Sequence, residues 1–377
     1  SFLIMSLVEE SELVSMGPSN GEIDQVPDDD LVFINGLPCY TDKHKLRDGE
    51  IQIFERIGYD DRVGASYLAL AGDKELVLRV STDKCGIVAL EKVFLNKIES
   101  RGLWPHFSQL HSAWQMDRLD FMTVYFRQGP SLPQCLNFLP TRTFSMGTLA
   151  RLGKDILMCL RHIHGVGYVA RCLDKELFHL CAASRHLFMA DISNLRLDPT
   201  SIGQSAAPWT GGSLLAPLSS HEKGAGLARG DELESWLYLM VLLYTNTLPW
   251  DSVYDDQVEE VKRSSNVVEG LGEKWDELKE LVMAQSGIQI VPDAKYEEIG
   301  CILDKMAKEA GIEDEDENYD FEVEPNEADL PKCVLLVHLI FITNSTLDSF
   351  WRNDRSMLRL KKNVSLKNQL RHEPPLF

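Results

Sequence analysis

The sequence predicts an α+β protein of two lobes, a small β-rich one followed by a larger helical one. Three observations carry that expectation. Short apolar and β-branched runs, Ile51–Phe54, Tyr67–Leu70 and Leu76–Val80, are separated by turn residues such as Ala71-Gly72-Asp73. Ile87, Leu90, Phe94 and Ile98 then recur at helical spacing, ahead of two more apolar runs near Phe107–Trp114 and Phe121–Phe126. After Gly129-Pro130 the pattern turns helical.

In that second part Leu149, Leu152, Ile156, Leu160 and Ile163 share one helical face, with Ser145 placed to cap it. Leu233, Trp236, Leu237, Met240, Val241 and Tyr244 define a second strong helix that stops near Leu248-Pro249. Further helices are expected over 274–284 and 296–310. Residues 1–48 read as an N-terminal extension in which Leu31–Ile34 is a strand-like run. The expected organisation is therefore an extension (1–48), a small lobe (49–128), a helical lobe (129–322), and an acidic linker with a basic tail (323–377). Glu313–Asp329 is dense in carboxylates and Arg352–Arg371 is basic. Between them, Val334–Val337 and Leu339–Ile342 are too apolar to leave in water, and they are expected to dock on the domain or on a partner.

A chain of 377 residues with 44% hydrophobic content can bury a large core. Its net charge of −20 repels nucleic acid and anionic membranes, so neither is an expected partner. Eight cysteines without a CxxC pair point to reduced thiols in an intracellular compartment, cytoplasm or nucleus. Ser1–Met5 lacks the basic flank of a signal peptide, and Cys333–Ile342 is about half the length of a membrane-spanning helix.

Four landmarks stand in a telling order. They are Gly129-Pro130-Ser131-Leu132, then Arg151-Leu152-Gly153-Lys154 leading into Ile163-His164-Gly165-Val166-Gly167, then Arg229 to Ser235 with Leu248-Pro249-Trp250, and last Tyr319-Asp320-Phe321-Glu322. In this order they resemble a protein kinase of the casein kinase I group, and most of all the tau-tubulin kinases, over residues 51–322. The resemblance implies a bilobal protein-kinase-like fold and assigns each active-site position.

Phosphoryl transfer needs a phosphate-covering glycine loop, a strand lysine, metal ligands and a base beside the substrate hydroxyl. The loop falls at Gly58 to Gly64, with Asp60 where the family has its second glycine, and a plain β-turn is the better reading. Arg79 takes the strand lysine's place, and Glu91 matches its helix partner, so the resemblance implies an Arg79–Glu91 strut. The catalytic loop is Ala170-Arg171-Cys172-Leu173-Asp174-Lys175-Glu176-Leu177-Phe178. Cys172 holds the base position, Asp174 that of the phosphate-steadying lysine, and Leu177 that of the metal-ligand asparagine. Asp191 is the one intact metal-ligand position, and Glu232 replaces the aspartate that braces the catalytic loop. Leu215 stands where the family has an anion-binding arginine.

Loss of a general base alone removes about 10²–10⁴-fold in rate. The expectation is therefore a pseudokinase, not an enzyme, that works as a protein-binding scaffold or allosteric regulator. No catalytic residue is expected, with Arg79, Cys172, Asp174 and Leu177 as degenerate positions. Gly58, Arg79, Glu91 and Asp191 are the weak candidates for holding a nucleotide, and Asp191 alone for a metal, with no cofactor expected and ATP and magnesium doubtful. Residual serine/threonine kinase activity, or an ATP-binding switch without catalysis, is the alternative. A zinc site at His179, Cys181 and His186 fits no common ligand spacing, and Cys172 lacks a sequence-evident base to activate it as a nucleophile.

Overall fold

The computed structural model describes residues 31–322, apart from 43, 61–63, 199–206, 223–225 and 314–316. The apolar runs and basic tail beyond residue 323, with Asp61 and Ser201, lie outside the described residues.

Period-two alternation builds the small lobe. Its strands are β1 (Phe33–Ile34), β2 (Leu37–Pro38), β3 (Lys45–Leu46), β4 (Ile51–Asp60), β5 (Gly64–Ala71) and β6 (Lys74–Thr82), then β7 (Leu110–Met116) and β8 (Leu119–Tyr125). The last six form one antiparallel sheet in the order β3-β4-β5-β6-β8-β7. On β6, Leu76, Leu78 and Val80 face one core with Ile51, Ile53, Tyr67 and Phe121. Val77 and Arg79 consequently point to the opposite face. Helix α1 (Ile87–Ser100), between β6 and β7, buries Ile87, Phe94 and Ile98 as the spacing expects, and Glu91 with them.

The run Leu31–Ile34 yields a strand of two residues only. Asn35 and Gly36 take positive φ values of 50° and 80°, which turns the chain back as a tight hairpin onto Leu37–Pro38.

The helical lobe comprises α2 (Leu132–Asn137), α3 (Met146–Gly165), α4 (Arg229–Thr245), α5 (Val258–Ser264), α6 (Glu273–Met283) and α7 (Asp293–Glu309). Short strands β9 (Tyr168–Val169), β10 (Phe178–Leu180), β11 (Leu187–Met189) and β12 (Arg196–Leu197) lie between α3 and α4. Ser145 caps α3 by accepting the Thr148 N–H at 3.3 Å. Asp320 in turn accepts the Ser145 N–H at 2.5 Å and its hydroxyl at 2.6 Å, so the closing Tyr319–Glu322 turn is tied to the start of α3. Helix α4 is buried on nearly every side, with Trp236 donating its indole N–H to the Gly153 carbonyl at 3.1 Å.

The chain between the lobes is held close to β10. Leu180 N–H donates to the Pro130 carbonyl at 2.8 Å and Ala182 N–H to Gln128 at 2.9 Å. A Cβ on Gly129 would lie 1.6 Å from the Leu180 carbonyl oxygen, so this approach requires glycine. Among the described residues no helix is long and apolar enough to cross a membrane.

The β4–β5 hairpin places its glycine constraint at Gly64, where φ is +116° and a Cβ would meet the Val80 carbonyl oxygen at 2.1 Å. At Gly58 an added Cβ makes only an ordinary 3.8 Å contact with Ser66. Gly64→Ala should therefore cost more than about 1 kcal/mol, while Gly58→Ala should stay within about 0.5 kcal/mol. Urea denaturation of the two variants checks the contrast.

Candidate functional site

The loop that follows β9 is organised around Glu232 on α4, which is fully buried. Its carboxylate accepts the backbone N–H of Ala170 at 3.0 Å and of Arg171 at 2.7 Å. It also accepts His164 Nε2–H at 2.7 Å, and Nδ1 of the same ring lies 2.5 Å from the Tyr296 hydroxyl. With the ring proton on Nε2, Nδ1 accepts from Tyr296. Glu232 thus fixes a turn in which Arg171 adopts a left-handed φ of 64°. The Arg171 carbonyl is held in turn by the Thr210 N–H at 2.8 Å. His164 and Tyr296 carry no sequence signal of this role, being 132 residues apart.

Around this brace the chemistry-bearing positions have other contacts. Cys172 is partly buried, and burial pushes its thiol up to about 11, with Asp174, Asp191 and Glu232 adding to the effect. At neutral pH it is neither a base nor a thiolate nucleophile. Asp174 caps the single 3-10 turn Lys175–Leu177, accepting the Glu176 N–H at 3.1 Å. Leu177 packs into the main hydrophobic core. Leu215 is likewise buried there, and its carbonyl accepts the Ser235 hydroxyl.

The structure brings Arg79, Glu91 and Asp191 together. The Arg79 guanidinium is 2.9 Å from Glu91 and 3.6 Å from Asp191. Burial lifts Glu91 to about 7, with Arg79 opposing and Asp191 reinforcing. Arg79 itself is raised, because Glu91 and Asp191 outweigh the effect of its burial. Asp191 is half-exposed and also accepts the Ser193 N–H at 2.9 Å. Gly58 stands apart: it pairs with Ser66 on β5, which pairs with Arg79 on β6. Two strand spacings place it about 10 Å from Arg79.

Among the described residues no three His, Cys, Asp or Glu side chains converge to hold a metal ion. His179, Cys181 and His186 form no such group; His186 bonds instead to Asp155 at 3.1 Å. The geometry therefore offers an arginine held between two carboxylates, one of them half-exposed, beside a loop anchored on Glu232.

Glu91 generates a pH prediction. Its folded pKa lies above its ordinary value, so stability is fully present at low pH and is lost as pH rises through about 7. Glu91→Gln should gain on the wild type between about pH 5 and 7, by on the order of 1 kcal/mol per pH unit. A constant difference across thermal melts from pH 5 to 8 would show that Arg79 keeps the carboxylate ionised throughout.

The chain is similar in sequence to a set of proteins that includes named kinases, and in structure to a solved kinase. It is 25% identical over 232 residues to the piRNA biogenesis factor prde-1 of Caenorhabditis elegans, covering 56% of this chain and 44% of that protein. It is 24% identical over 179 residues to a probable casein kinase I homologue of Encephalitozoon cuniculi, covering 44% of this chain and 56% of that protein. The chain thus spans about half the length of these relatives. No protein-family model matches it. The solved structure of vaccinia related kinase 3 superposes with a TM-score of 0.57 at 18% identity, over 70% of this chain and 88% of that one. These similarities correct one sequence expectation. Relatives named as serine/threonine kinases, together with the kinase structure, point to an enzyme family, so the reading of the chain as no enzyme is withdrawn. The fold of this chain is protein-kinase-like.

Proposed function

We propose that this chain uses a serine/threonine-kinase fold chiefly as a protein-binding scaffold or allosteric regulator, with phosphotransfer strongly attenuated. The carrying observation is Cys172, a thiol held protonated where a kinase of this kind has its carboxylate base. The contacts of Asp174 and Leu177 support the same reading, because each serves local structure. So does the relative prde-1, which is named as a biogenesis factor and not as a kinase. Within the kinases, the likeness to tau-tubulin kinases rests on Gly129–Leu132, Arg151–Lys154 and Arg229–Ser235. A net charge of −20 favours protein partners over nucleic acid or membrane, and the scattered cysteines favour the cytoplasm or nucleus.

The second reading, an ATP-binding switch, is favoured by one observation: Arg79, Glu91 and Asp191 remain assembled. Against it, the Arg79 guanidinium is already in contact with Glu91 at 2.9 Å and with Asp191 at 3.6 Å.

Radiolabelled ATP incorporation into casein, tubulin and the protein itself should match that of Cys172→Ala. Incorporation clearly above that variant would contradict attenuation. A ligand at 100 times its Kd stabilises a protein by about 2.7 kcal/mol, so nucleotide binding is easy to detect by melting. Millimolar ATP with magnesium should shift the melt little. A shift of several degrees, abolished by Asp191→Ala, would establish the switch instead.

A further inference from the structure

Four consecutive carbonyls, Ser213 to Ala216, are each taken by a side-chain donor from the helical lobe. Lys262 Nζ donates to Ser213 at 2.7 Å and to Ala216 at 2.5 Å. Trp250 Nε1–H donates to Leu214 at 2.7 Å, and the Ser235 hydroxyl to Leu215. A segment without strand or helix partners depends on such donors to satisfy its backbone.

Lys262 contributes to two of these bonds and is buried, at 4% exposure. Its ammonium stands 5.1 Å from the ring centres of both Tyr238 and Trp250. The remaining neighbour is His221 Nε2, 3.4 Å away, at the end of the 3-10 turn Leu218–His221. From α4, Glu234 faces the lysine, while its carboxylate accepts the Leu218 N–H at 2.8 Å and the Tyr238 hydroxyl at 2.6 Å. Glu259 and Arg263 from α5, with Asp255, face His221, and Arg263 is itself bound to Glu259 and Glu222.

A neutral amine has two N–H donors and a lone pair, which match two carbonyls and an imidazole N–H. An ammonium has three donors, which match two carbonyls and the lone pair of a neutral imidazole. One proton can therefore sit on either nitrogen without loss of a bond. Two added protons leave an ammonium facing an imidazolium with no acceptor between them.

We propose that Lys262 and His221 form a proton-responsive clamp on residues 213–222, closed with at most one proton added to the pair and opened when both nitrogens are charged. The clamp is independent of the scaffold reading. Burial pulls Lys262 down to about 7 against the opposing charge of Glu234. Burial, followed by Lys262, lowers His221 below its ordinary value. A histidine lowered in the folded state loses stability as pH falls through its ordinary range, so the clamp opens on the acid side.

Hydrogen exchange of the full chain at pH 7.5 and 5.5, corrected for intrinsic exchange rates, tests the clamp. Protection over 213–222 should fall by on the order of tenfold at the lower pH. His221→Gln should keep protection at both values. Lys262→Met should loosen the segment at both, and should it fail to fold, His221→Gln alone decides. Unchanged protection in the wild type, or an equal acid loss in His221→Gln, overturns the clamp.

Discussion

Glu232 has no contact with water, and its two oxygens accept three hydrogen bonds, from Ala170, Arg171 and His164. A buried carboxylate without such donors is costly, and backbone N–H groups without an acceptor are costly too. Each side therefore makes the other tolerable. The bond to Arg171 holds a residue in the left-handed region, at a φ of 64°. Helix α4, which carries Glu232, is itself buried on nearly every side. Cys172, Asp174 and Leu177 follow directly on the segment that this anchor holds.

With the loop held, the residues along it obey local chemistry. Asp174 at the head of a 3-10 turn accepts a backbone N–H, as a carboxylate there is expected to do. Leu177 completes the core. Across the cleft, Arg79 bridges Glu91 on α1 and Asp191 on the other lobe with a single planar fork. On the kinase reading proposed above, Arg79 takes the strand lysine's place, and its charge is turned toward two carboxylates of the protein itself. On that same reading, phosphotransfer and structural bracing would draw on the same few positions, and Asp174 and Leu177 are taken up by local structure.

Much of this was legible in the sequence because it depends on near neighbours or on a motif. The Ser145 cap, the face of α1 and the helical runs of the second lobe follow from periodicity and local hydrogen bonding. The Arg79–Glu91 pair and the Glu232 brace were legible through the order of kinase landmarks. What stayed hidden depends on distant chain meeting in space. His164 and Tyr296 complete the Glu232 network across 132 residues. Gly64, not Gly58, carries the glycine constraint, because the Val80 carbonyl on the next strand presses on it. Within the apolar run Leu31–Ile34 only Phe33 and Ile34 pair as a strand, because Asn35-Gly36, a turn signal in the sequence, reverses the chain at once.

On the proposed reading, the positions a kinase uses for chemistry serve packing in this chain, and Leu177 tests that most directly. Leu177→Asn restores the family's metal-ligand amide at a buried site within the main core. Urea denaturation with and without ATP and magnesium should show a loss of about 2–5 kcal/mol, as for truncation of a buried leucine, and no rescue by nucleotide. Unchanged stability in that variant, together with a nucleotide-dependent rise, would contradict the claim and place the cleft among working nucleotide sites.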